Sequence, residues 1–77
     1  MKDYMNRISI NPKIMFGKPV VRGTRITVEQ ILEDLGSGKT NDELLEMYPS
    51  ITALDIKAAL QFASDALRGE RTYPIAI

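Results

Sequence analysis

Two stretches of this chain have residue types that could do chemistry. Lys18-Pro19-Val20-Val21-Arg22-Gly23-Thr24-Arg25 sets three cations around a rigid proline and a glycine. A guanidinium fork grips phosphate or carboxylate equally well, and a glycine lets backbone amides approach an anion, so the block suits an anion-binding loop. The same letters also suit a tight turn at Gly23 whose arginines pair with Glu29, Glu33 or Asp34. Further on, Lys57, Gln61, Ser64 and Arg68 recur at helical spacing and line one polar stripe. In a major groove, such a glutamine pairs with adenine and such cations meet guanine or phosphate. Only two of the four are basic and Asp55 lies near the end that would enter the groove, which favours a solvated face. Lys18, Arg22, Arg25, Lys57, Gln61 and Arg68 are thus the candidate DNA contacts.

Other motifs dissolve on inspection. Gly36-Ser37-Gly38-Lys39-Thr40 looks like the end of a phosphate-binding loop, but Glu33 stands where the pattern needs its first glycine, and the segment follows a helix instead of a strand. A helix stop followed by a threonine cap explains it. Asp42, Glu43 and Glu46 crowd the start of a helix, where acidic residues favour the dipole. The chain has neither histidine nor cysteine, which excludes imidazole bases, thiol nucleophiles, disulfides and Cys/His zinc sites. The expectation is a protein that is not an enzyme, with no catalytic residue, no metal and no cofactor.

The elements that must position these residues follow from periodicity. From Ile8 to Val28, short β-branched pieces (Ile8-Ile10, Ile14-Phe16, Pro19-Val21, Ile26-Val28) alternate with Asn-Pro and glycine turns, the pattern of a β arm. Three helices follow, near residues 28–36, 41–48 and 52–68. Thr27, Thr40 with Glu43, and Thr52 with Asp55 cap their starts, and Gly36, Pro49 and Gly69 end them. The fold class is mainly α: a short N-terminal β arm and three helices whose lengths suit a helix-turn-helix unit and a plain three-helix bundle alike. The expected core is Val28, Ile31, Leu32, Leu35, Leu44, Leu45, Ile51, Ile56, Leu60 and Ala63, with Leu67 on the same face. Ala58, Phe62 and Ala66 form a second stripe on the last helix, an arc wider than two small helices cover, which points to a protein partner.

One domain of 77 residues is expected, divided into a basic extended arm (1–26), the three-helix bundle (27–68) and an apolar tail (69–77). Ten basic and ten acidic side chains cancel overall, yet Lys2, Arg7, Lys13, Lys18, Arg22 and Arg25 face only Asp3 in the arm. So small a core gains from docking onto another chain, so a homo-oligomer or hetero-complex is expected. The tail offers Arg71, Tyr73, Ile75 and Ile77 to a partner, beside Phe62 and Ala66. No apolar run suits a spanning helix and the first residues do not form a signal peptide, so a cytoplasmic location without membrane contact is expected.

Ile14-x-x-Gly17-Lys18-Pro19-Val20-x-Arg22-Gly23-Thr24-Arg25-Ile26-x-Val28, then Leu35-x-x-Gly38, Tyr48-Pro49, Thr52, Asp55-Ile56 and Ala58-Ala59-Leu60, resembles a large family of small prokaryotic proteins. It was first catalogued as domain of unknown function four-three-three (DUF433), and the resemblance covers roughly residues 8 to 67. What it implies is a homeodomain-like helix-turn-helix with an N-terminal β arm and the antitoxin role in a toxin–antitoxin pair, with a PIN-type ribonuclease as toxin; the expected function is therefore neutralisation of that nuclease, with operator DNA as a candidate second ligand. It carries over Lys18, Arg22, Gly23, Thr24 and Arg25 as a functional block facing DNA, toxin or its own fold. A stand-alone transcriptional regulator and a protein–protein adaptor without a nucleic-acid role remain as alternatives.

Overall fold

The computed structural model describes residues 6–69. Strand β1 (Ile8–Ser9) pairs antiparallel with β2 (Val20–Val21), Ile8 opposite Val21 and Ser9 opposite Val20. Helices α1 (Val28–Gly36), α2 (Asn41–Met47) and α3 (Ala53–Arg68) follow. The fold is mainly helical with an N-terminal β arm and helix-turn-helix connectivity. The arm is less extended than its composition suggests. Ile14-Phe16 is no strand, because Met15, Phe16 and Gly17 all take positive φ in a tight turn.

The caps act where their sequence places them. Thr27 Oγ1 accepts the Gln30 amide at 3.0 Å. Thr40 and Glu43 form a reciprocal box, and so do Thr52 and Asp55. Each box satisfies backbone donors that a helix start leaves unpaired. The phosphate-loop look-alike is a helix stop: the Ser37 amide donates to Glu33 O, Gly38 takes a φ of +105°, and Thr40 starts α2.

Ile8, Val21, Val28, Ile31, Leu44, Ile51, Ile56, Ala58, Ala59 and Phe62 form the core, with Ile26, Leu32, Leu35, Leu45, Tyr48 and Ala63 packed against it. One sequence expectation fails here. Leu60 is 43% exposed and Leu67 89%, whereas Ala58 and Phe62, read as an outward stripe for a partner, are buried. The physical reason is that α3 packs against α1, α2 and β1 together. The arm covers part of the wide apolar arc, the buried face turns toward Ala58 and Phe62, and the two leucines fall at its rim.

Candidate nucleic-acid interface

Helix α3 holds four charged residues, Asp55, Lys57, Asp65 and Arg68, and it sorts them by sign. Asp55 and Asp65 are 8% and 1% exposed, while Lys57 and Arg68 face solvent. The polar stripe expected from spacing is real: Lys57, Gln61 and Arg68 are exposed and Ser64 half-buried. Arg68 Nη2 donates to Ser64 Oγ at 2.7 Å, and Gln61 Nε2 donates to Asp65 Oδ1 at 3.3 Å. The outer face therefore carries two cations and no acid, the sign that phosphate contact requires.

Asp55, which weighed against groove contact, is occupied on the inside. Its Oδ2 accepts the Thr52 amide at 2.9 Å and its Oδ1 accepts Arg7 Nη1 at 3.1 Å. Arg7 was not singled out from the sequence, and a partner 48 positions away leaves no local signal. This ion pair fastens the basic arm to the first turn of α3 and cancels the acid there.

The Lys18 to Arg25 block divides. Arg22 serves the arm: its Nε donates to Asn6 O at 2.9 Å and its Nη2 to Ile8 O at 3.4 Å. Thr24 builds the turn, its hydroxyl donating to Val21 O at 2.8 Å and accepting the Ile26 amide at 3.0 Å. Gly23 has a φ of +81° and open space where a Cβ would sit, so backbone conformation and not crowding calls for glycine. Lys18 pairs with Glu29 at 2.9 Å, both side chains well exposed. Arg25 is exposed at the same turn. Of the six candidate DNA contacts, Lys57, Gln61 and Arg68 share one face of α3, and the structure gives Arg22 a structural role.

On the other side, Tyr48 Oη donates to Asp34 Oδ2 at 2.8 Å and Gln30 Nε2 donates to Asp34 Oδ1 at 3.3 Å, clasping α1 to the end of α2. The bond to this carboxylate raises the tyrosine pKa, with burial adding to it. Glu43 is held below the usual carboxylate range because it accepts the Thr40 amide and hydroxyl. Among the candidate partner contacts Phe62 is buried and Ala66 half-buried, while Arg71, Tyr73, Ile75 and Ile77 lie outside the described residues. Among the described residues no group of three or more acidic residues is placed to hold a metal ion, and no helix is long and apolar enough to cross a membrane.

Residues 8–63 match the sequence family described as "Protein of unknown function (DUF433)". The chain belongs to the DUF433 family. A curated relative, "Uncharacterized protein y4eO" of Sinorhizobium fredii (strain NBRC 101917 / NGR234), is 37% identical over 65 residues, covering 83% of this chain and 29% of the relative. A crystal structure of a DUF433 member from Anabaena variabilis ATCC 29413, at 2.00 Å resolution, superposes with a TM-score of 0.78 and 33% identity, over 82% of this chain and 62% of that one. This DUF433 chain thus spans less than a third of the one relative and under two thirds of the other.

Proposed function

We propose that this DUF433 protein is an antitoxin-like regulator that binds duplex DNA through the outer face of α3 and neutralises a PIN-type ribonuclease. The observation that carries the DNA half is the sorting of charge on α3, with both aspartates inside and Lys57 and Arg68 outside. The helix follows α2 through a short turn, as a recognition helix does, and the Arg7–Asp55 pair holds the cationic arm against its first turn. Phosphate contacts from Arg25, Lys57 and Arg68 position the chain, and Gln61 exchanges its intrahelical bond for an adenine edge.

The ribonuclease half rests on the family resemblance. Burial of Phe62 moves the inhibitory surface off the stripe of Ala58 and Phe62. Leu60 and Leu67, exposed on α3, and the residues beyond Gly69 take its place. Reading two half-sites calls for a dimer or for the complex with the ribonuclease. No catalytic group enters this reading.

Co-expression with a PIN-type ribonuclease encoded beside this gene tests the whole proposal. A complex that co-purifies, has no ribonuclease activity, and shifts the duplex upstream of the gene is expected. A ribonuclease that stays active beside the folded protein would remove the antitoxin half. A duplex that the complex leaves unshifted would remove the DNA half.

A further inference from the structure

Phe16 is 94% exposed, whereas the other aromatics among the described residues, Tyr48 and Phe62, pack in or against the core. It is also held in an unfavourable conformation. Met15, Phe16 and Gly17 have φ of +49°, +60° and +82°, a run that L side chains rarely enter. The surrounding loop fixes that conformation. Asn11 accepts the Lys13 amide on its side chain at 2.9 Å and the Ile14 amide on its carbonyl at 2.9 Å. The Gly17 and Lys18 amides donate to Ile14 O and Met15 O at 3.0 and 3.1 Å. A hydrogen-bonded loop that holds an exposed ring in a left-handed conformation points to a binding role, since the ring buries no area that would hold the fold.

Chemistry around the ring selects the ligand. Lys13 and Lys18 bracket it, and no acidic residue occurs between Asp3 and Glu29. The exposed Lys18–Glu29 pair is weak enough for Lys18 to exchange its partner for a phosphate. Lys13 and Lys18 are both exposed, so the loop presents two cations to solvent along with the ring. A lone aromatic between cations is the arrangement that stacks on nucleobases whatever their sequence.

We propose that the Phe16 loop is a stacking platform for an unpaired base of a single-stranded nucleic acid, with Lys13 and Lys18 on the adjacent phosphates. The site is distinct from the duplex face of α3. The loop leaves the hairpin at its Ser9 and Val20 end, while the opposite end, next to Arg7, is fastened to α3.

The chain contains no tryptophan, so Phe16→Trp places a sole reporter in the loop. Titrating this variant with oligothymidylate of about ten nucleotides should quench the emission to saturation, with affinity falling as salt rises. Fluorescence anisotropy of the labelled oligonucleotide should give equal affinity for the parent and Phe16→Tyr, and about five- to hundredfold weaker binding for Phe16→Leu. The double variant Lys13→Gln, Lys18→Gln should flatten the salt dependence. Undiminished binding by Phe16→Leu, absence of oligonucleotide binding by the parent, or equal quenching by the matching duplex would each overturn the proposal. So would a concentration-dependent blue shift without nucleic acid, which would place the ring in a protein interface. Duplex binding through α3, measured alongside, can persist when oligonucleotide binding fails, so the two proposals fall separately.

Discussion

The basic arm and α3 both look cationic in sequence, yet the structure treats their charges in opposite ways. In the arm, Arg7 is bound to Asp55 and Arg22 to two backbone carbonyls, so both arginines work inside the fold, and the exposed Lys18 is paired with Glu29. On α3 the acids are the ones turned inward, and the cations stand on the outer face. A block of basic residues is therefore a weaker pointer to a site than the direction in which a helix sends its two signs of charge.

The largest expected effect tests which side of α3 is inside. Phe62→Ala should cost about 3 to 5 kcal/mol, enough to unfold much of a domain of this size, while Leu60→Ala should cost under about 1 kcal/mol. Thermal melts of the two variants settle it, and the reverse order would return Leu60 to the core. Next comes the arm. Arg22→Ala should lose about 1 to 3 kcal/mol with its carbonyl bonds, and Arg25→Ala should melt within about 0.5 kcal/mol of the parent. Equal losses would erase the division drawn between the two arginines.

Helices and caps were legible from the sequence because capping boxes and helix stops are local: Thr40 with Glu43 and Thr52 with Asp55 act within one turn. The register of α3 was not. Periodicity identifies an apolar arc but not its centre, and only the packing of β1 on α3 decides between Phe62 and Leu60. The polar stripe from Lys57 to Arg68 was readable from spacing, but the inward turn of Asp55 was not, because its partner Arg7 is remote. Phe16 read as part of a strand, since β-branched and aromatic composition carries no sign of φ.

A smaller effect concerns Tyr48. Tyr48→Phe should cost about 1 to 2 kcal/mol by leaving Asp34 short of a donor. Because the folded pKa of Tyr48 is raised, its contribution is complete below the unfolded value of about 10 and declines as pH rises through the folded value. The parent should thus lose more stability than Tyr48→Phe between neutral pH and strongly alkaline pH, as urea midpoints would register. The smallest effect is at Phe16. Release from the left-handed region returns about 1 to 2 kcal/mol against about 0.5 to 1 kcal/mol for the added freedom of glycine. Phe16→Gly should hold or slightly raise the melting temperature, and a clear fall would mean that the ring supports the fold.

The outward charge of α3 is tested most directly by the salt dependence of duplex binding. Anisotropy titrations of the duplex upstream of the gene, across a series of salt concentrations, should compare the parent complex with one carrying Lys57→Gln and Arg68→Gln. Loss of two phosphate contacts should lower the slope of log K against log salt by about 2, with the melting temperature unchanged. A double variant that binds with the parent's affinity and slope would contradict a DNA-binding role for this face.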